Sequence, residues 1–212
     1  MKTERRRFLL LMLATAIALA GRNERAAAQE LTRAAFNDLR QGGFVVVVRH
    51  GKTNAVAGMP EDKSPLDLAS CADQAMLSEA GRDQARAIGK AFTSAGIPVG
   101  KVVASGFCRA IEMARLAFGK AETSDALLLQ NFVPVAGAPV PAPWPQRVAT
   151  MKTMIAAMPE PQTNTVLVTH FPNVKAALGV EIDFGDAVIV KPDGQGRARL
   201  VARIFASEWP SL

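Results

Sequence analysis

Phe44-Val45-Val46-Val47-Val48-Arg49-His50-Gly51 is the stretch on which the fold turns. A phenylalanine and four valines in unbroken succession favour extended backbone, because β-branched side chains are stiff at χ1 and pack well on a pleated surface. The run has no polar alternation. That pattern belongs to a strand covered on both faces, as in parallel sheets sandwiched between helices. Arginine, histidine and glycine follow the last valine directly.

Working outward, Leu31, Ala35 and Leu39 recur at helical spacing before the strand, and Gly42-Gly43 ends that helix. Residues 51–76 show no clear period, hold Pro60 and Pro65, and read as a long loop. Ser78 is placed to cap a helix with Ala85, Ile88 and Phe92 on its inner face, stopped by Gly96 and Pro98. Lys101 to Ser105 reads as a strand, Phe107 to Phe118 as a helix with Ile111, Ala114 and Phe118 inward, and Ala126 to Leu129 as a third strand. Prolines at 134, 139, 141, 143 and 145 exclude a regular element over 131–145. A helix with Val148, Met151, Ile155 and Met158 on one side follows, then a strand at Thr165 to Thr169 ending on His170. Two more strands, Ala187 to Val190 and Leu200 to Phe205, flank a turn at Pro192-Asp193-Gly194. Strands alternating with helices predict an α/β fold, a three-layer sandwich around a mostly parallel central sheet. In such sheets the ligand crevice lies beyond the carboxyl ends of the strands. Arg49-His50, the Ser105–Arg109 turn and His170 all fall just past a strand end.

The first 28 residues stand apart. Lys2, Arg5, Arg6 and Arg7 precede an apolar or small run from Phe8 to Ala20, and Ala26-Ala27-Ala28 offers a small-residue cleavage site. Basic head, apolar middle and small-residue exit are the marks of a signal peptide, and the run is shorter than the ~20 residues a membrane span needs. Arg5-Arg6-Arg7-Phe8-Leu9 resembles a twin-arginine signal, although Glu4 stands where Ser or Thr is preferred. The expectation is an exported, periplasmic protein with one domain over residues 29–212 and no lasting membrane insertion. The leader holds six basic and two acidic residues, which leaves 19 basic against 17 acidic and lowers the net charge from +6 to +2. The basic balance is therefore mostly a leader effect and gives no footing for nucleic-acid binding, which needs a clustered basic face.

The chain has two histidines, His50 and His170, each directly after an apolar strand. A phosphoryl group in transfer spreads negative charge over its oxygens, so positive donors must be positioned around it in advance. Arg49 and Arg109 each offer a guanidinium fork for such oxygens. Neighbouring arginines also disfavour protonation of His50, and only the neutral imidazole is a nucleophile. Gly51 would let the backbone come close to the phosphate.

Arg49-His50-Gly51-Lys52-Thr53 resembles the Arg-His-Gly-x-Thr signature of the histidine phosphatase superfamily, the phosphoglycerate-mutase-like proteins. Leu77 to Ala85, Ser105 to Ala110 and Val166 to His170 resemble, in order, that family's first long helix, its second arginine turn and its second histidine strand. The resemblance implies that His50 carries the phosphoryl group, that Arg49, Arg109 and His170 hold its oxygens, and that Thr53 contacts substrate. It implies a phosphatase acting on a small phosphorylated molecule with no cofactor. The chain departs from the pattern at Lys52 and Gly106, where many members have glutamate and proline. It also lacks the acidic residue that small members carry after the third strand: the segment reads Leu128-Leu129-Gln130-Asn131. Glu61, Asp62, Asp67, Glu122 and Asp125 are substitutes, and none stands out, so the general acid is unassigned. Two other readings stay open: a phosphate-ligand binding protein that has lost catalysis, and a phosphomutase. Asn131, Phe132 and Trp144 would border the pocket in this arrangement.

Other motifs fail. Gly51-Lys52-Thr53 is not a P-loop end, since Val46 replaces the required glycine. Neither cysteine is followed at the sixth position by the arginine a cysteine phosphatase needs. Two histidines 120 positions apart without a cysteine cluster argue against a zinc site. The two cysteines, Cys71 and Cys108, are either a disulfide or two buried thiols, and an oxidising compartment favours the bond.

Overall fold

The structure is a computed structural model that describes residues 30, 32–55 and 62–212. The leader therefore lies outside the described residues. Helix α1 covers residues 32–38 and tightens into a 3₁₀ turn at Leu39–Gln41. Strand β1 (Val45–Arg49), helix α2 (Glu79–Ser94), strand β2 (Val99–Ala104), helix α3 (Cys108–Phe118) and strand β3 (Glu122–Thr123) follow. Helix α4 (Trp144–Ala156), strand β4 (Asn164–Thr169), helix α5 (Phe171–Leu178) and strands β5 (Ala187–Pro192) and β6 (Ala198–Ile204) complete the fold. One six-stranded sheet runs β3-β2-β4-β1-β5-β6. The pairs β3–β2, β2–β4 and β4–β1 are parallel, and β1–β5 and β5–β6 are antiparallel.

The valine run explains the layering. Val46 and Val48 pack with Leu77, Ile88, Phe92 and Met113 on one side of the sheet. Val45 and Val47 pack with Met151, Ile155 and Val174 on the other. Successive side chains on a strand point to opposite faces, so both cores need apolar residues from the same five positions. Each buried valine contributes about 1.5–3 kcal/mol relative to an exposed one. A single polar residue in the run would remove one of those contributions and leave a polar group to satisfy.

Three expectations need correction. Ala126 to Leu129 is not a strand: Asp125–Leu127 form a 3₁₀ turn capped by the Ser124 hydroxyl, and the third strand is Glu122–Thr123 just before it. A short apolar run does not by itself distinguish a strand from any other buried segment. On α3 the buried face is Ala110, Met113 and Ala114, while Ile111 and Phe118 are only half-buried. Met158 lies beyond the end of α4 and is 56% exposed. Helix α4 begins inside the proline-rich stretch, with Pro145 in its first turn, where a missing N–H costs nothing.

Candidate active site

The crevice forms where β2, β4 and β1, three adjacent parallel strands, all end on the same edge. His50 follows β1, Ser105 follows β2 and leads into α3, and His170 follows β4 and caps α5. Parallel pairing makes that convergence obligatory, because every parallel strand delivers its next residue to the same edge.

Close packing behind the nucleophile fixes its backbone. A Cβ on Gly51 would stand 2.7 Å from the Gly81 carbonyl oxygen, and one on Gly81 would stand 2.0 Å from the Lys52 carbonyl oxygen. The loop after β1 is thus pressed against the first turn of α2, and Gly51 is needed for that contact. Ser78 joins the two: its hydroxyl accepts from Gly81 N, and its backbone N donates to Lys52 O at 2.9 Å. On the other side the segment before β5 supports the same residues. Gly185 N donates to the carbonyls of Arg49 and His50, and Arg49 N donates to Asp186 O.

His50 is 2% exposed. Its Nδ1 lies 2.9 Å from the Gly51 carbonyl oxygen, which only accepts, so Nδ1 carries the hydrogen and the lone pair is on Nε2. Arg109 Nε donates to that Nε2 at 3.3 Å. The His170 ring is 5.0 Å from the His50 ring, and its Nε2 is 2.8 Å from the Ser105 hydroxyl. His170 Nδ1 is buried and has no hydrogen-bond partner among the described residues. The Arg49 guanidinium lies 3.6 Å over the Phe184 ring and donates to Ile182 O, with Asp183 at 3.4 Å. Arg109 is fully buried, its guanidinium 4.6 Å over the Phe107 ring. Asp62 grips it with both carboxylate oxygens, at 2.7 and 3.0 Å.

The disulfide holds this arrangement from below. Cys71 and Cys108 are bonded, with Cα atoms 5.9 Å apart and a separation of 37 in sequence. The bond ties the loop after β1 to the residue preceding Arg109. Closing a loop of that length stabilises the fold by about 4 kcal/mol in the chain-entropy model. Gln74 adds to the tie by accepting from Cys108 N at 2.8 Å.

Both histidines are held well below the ordinary 6.5. Burial is the main cause for each. For His50, the Arg109 charge adds to it, the Gly51 carbonyl opposes it, and Arg49 adds a smaller contribution. For His170 the neighbours are His50, Arg109, Arg49 and Arg147. Above pH 6.5 both are neutral in folded and unfolded chains alike. Below it the unfolded chain takes up protons that the folded chain refuses, so stability falls as pH drops from about 6.5 towards the folded values. For two such groups the slope is at most about 2.7 kcal/mol per pH unit. Denaturant midpoints should therefore fall between pH 7 and pH 5.5, and fall less in His50→Asn with His170→Asn. Equal pH dependence in wild type and double variant would contradict this account.

The structure brings Arg49, His50, Arg109 and His170 together. Thr53 sits in a bridge to Leu77, just beyond the nucleophile loop. Asn131 and Phe132 line a cavity of about 260 Å³ with Asp62, Leu66, Phe107 and Leu129. Trp144 is not part of that lining; it lies beside Arg147 at the start of α4. Among the described substitute acids, Asp62 alone touches the site. Asp67 receives a turn hydrogen bond from Ala69, Glu122 pairs with Lys101 on the edge strand, and Asp125 is exposed on the 3₁₀ turn. Glu61 lies outside the described residues. Sequence reasoning missed Phe184 and Asp183, which hold Arg49 from more than 130 positions away, and Arg147, whose guanidinium binds the carbonyls of Leu128, Leu129 and Gln130. A buried arginine in a helix has no periodic signal that separates it from a surface one. Among the described residues no group of three or more His, Cys, Asp or Glu could hold a metal ion, and no helix is long and apolar enough to cross a membrane.

Residues 45–129 match the family model of the histidine phosphatase superfamily, branch 1. No curated protein matches the chain by sequence. Among solved structures, the protein histidine phosphatase SixA, complexed with tungstate, aligns over 78% of this chain and 98% of its own, at 14% identity and TM-score 0.54. The alpha-ribazole phosphatase of Shigella flexneri aligns over 77% and 96%, at 15% identity and TM-score 0.56. A structure described as mycobacterial hydrolase 1 aligns over 76% and 98%, at 18% identity and TM-score 0.53. The matched segment holds His50 and Arg109, and the remaining strands complete the fold of these structures: the chain has the histidine phosphatase fold, phosphoglycerate-mutase-like in architecture, and its residues 45–129 are similar to the histidine phosphatase superfamily.

Proposed function

We propose that this protein is a phosphatase that hydrolyses a phosphomonoester through a phosphohistidine on His50. One observation carries the reading: a buried, neutral imidazole has its hydrogen tied to Gly51 O and its lone pair turned towards the Arg109 guanidinium. A nucleophile in that state faces the charge that an incoming phosphoryl group requires. The structural neighbours named as phosphatases support the same reaction class.

The chemistry follows from the geometry. His50 Nε2 attacks phosphorus, the bond from phosphorus to the ester oxygen breaks, and its electron pair leaves with that oxygen, which takes up a proton. The positive charge on the phosphorylated imidazole is spread towards Nδ1–H and the Gly51 carbonyl. Water then attacks phosphorus, the P–N bond breaks, and its electrons return to Nε2. Arg109 and the open nitrogen of His170 meet the phosphoryl oxygens in this reading, and donors fixed in advance are what stabilises the developing charge. The cavity beside Phe107 has room for a compact organic group and is lined mainly by Leu66, Phe107, Leu129 and Phe132. It suits an alcohol with an apolar end.

Residues 29–212, purified and given a set of aryl, alkyl and sugar phosphates, should release inorganic phosphate from at least one of them, best from esters with apolar alcohols. Phosphate binding without release from any ester would favour the binding-protein reading. Transfer of the group to a second hydroxyl in place of release would favour a phosphomutase.

A further inference from the structure

Leu128-Leu129-Gln130-Asn131 has no carboxylate and Asp125 before it is exposed, so the proton for the leaving oxygen must come from elsewhere. The side chain that meets this need is on the opposite wall. Asp62 lies in the loop after β1 and presses both oxygens onto the Arg109 fork, Oδ1 to Nη1 at 2.7 Å and Oδ2 to Nη2 at 3.0 Å. Oδ1 also accepts from Ala75 N at 3.0 Å. The Asp62 side chain is only 10% exposed. Arg109 thus bridges two groups: its Nε reaches His50 Nε2, and its terminal nitrogens hold Asp62. Asp62 also lines the apolar cavity in which the alcohol would sit.

We propose that Asp62 is the proton donor to the leaving oxygen; this assignment rests on the phosphatase reading above. In the empty site both Asp62 oxygens are held by the Arg109 fork. A phosphoryl dianion seated on His50 Nε2 competes for the same guanidinium. Asp62 then loses part of its cationic partner and gains an anionic neighbour. Both changes favour the protonated carboxyl. The cations that face it are Arg109 from α3 and, next in the chain, Lys63, whose ammonium is held by Asp73 at 2.9 Å. Substrate binding therefore creates the acid where the alcohol leaves.

The two half-reactions balance. As the P–O bond breaks, the ester oxygen takes the Asp62 proton and departs as the neutral alcohol, leaving a carboxylate. That carboxylate then takes a proton from the attacking water as the P–N bond breaks. Phosphate leaves, Asp62 gives up its proton to solvent, and the pair with Arg109 re-forms.

The test compares kcat/KM for an alkyl phosphate with that for an aryl phosphate whose phenol is strongly acidic. A good leaving group needs little help from an acid, so the two esters separate proton donation from every other role of Asp62. Asp62→Asn should lower the alkyl value by about 10²- to 10⁴-fold and the aryl value by less than about tenfold. Equal losses on both esters would overturn the assignment and leave Asp62 as an anchor for Arg109. A gain on both would overturn it in favour of a carboxylate that only blocks the empty site. Should the variant fail to fold, wild type decides. A shallow dependence of kcat/KM on leaving-group pKa supports a proton donor, and a steep one excludes it. Wild type hydrolysing neither ester would remove the phosphatase reading itself.

Discussion

Replacing His50 with alanine is expected to bring hydrolysis down to background, a loss on the order of 10⁶-fold, as removal of a covalent nucleophile does elsewhere. No other group replaces it. His170 is 5.0 Å away ring to ring, but its Nε2 is engaged by Ser105. The fold should persist, since His50 lies past the end of β1 and belongs to neither core cluster. The direct observable is a phosphoryl label on wild type that is stable to base, labile to acid and missing from His50→Ala. Circular dichroism provides the control for folding. Substantial phosphate release by a folded His50→Ala protein would overturn the mechanism.

Arg109→Ala is expected to cost on the order of 10²-fold or more in turnover, the scale of losing one preorganised charge at a transition state. Vanadate and inorganic phosphate should also bind the variant weakly, because the fork that meets the oxygens is gone. A second effect accompanies the first. Asp62 would lose both of its charge-assisted hydrogen bonds while remaining nearly buried, and breaking such a pair on one side destabilises by about 3–5 kcal/mol. Adding Asp62→Asn to Arg109→Ala should restore part of that stability without restoring turnover. Arg109→Lys should keep more stability than alanine but lose the two-point grip. Unchanged vanadate inhibition in Arg109→Ala would show that the oxyanion site lies elsewhere.

These expectations rest on residues of unequal legibility. His50, Arg49, Arg109 and His170 were readable because each closes a strand or directly follows one or its turn, and parallel strands bring such positions to one edge. Ser78 and the inner face of α2 were readable because capping and helical spacing are local rules. The role of Asp62 was not. It is one of five acidic residues that the chain offers with equal claim, and the contact with Arg109, 47 positions on, separates it from Asp67, Glu122 and Asp125. The Phe184 and Asp183 support for Arg49 was hidden for the same reason. The strand expected at Ala126 to Leu129 failed in the opposite direction: burial was correctly inferred from the apolar run, but the Ser124 cap and the two-residue strand before it decided the shape.

The sequence by itself determined the layered α/β fold and the site's position. The valine run demands cover on both faces, and the elements that supply it recur at helical spacing on either side. It also carries the basic and apolar leader, whose reading concerns residues 1–28. Only the tertiary structure decided the partners: which carboxylate meets Arg109, which nitrogen of His50 keeps its lone pair, that Cys71 joins Cys108, and what lines the cavity beside Phe107. The reason is physical. Periodicity and capping record whether a side chain is buried and how its own segment is shaped, both within a few residues. Hydrogen bonds and ion pairs across a crevice depend on distances between segments far apart in the chain, and those distances exist only once the sheet has formed.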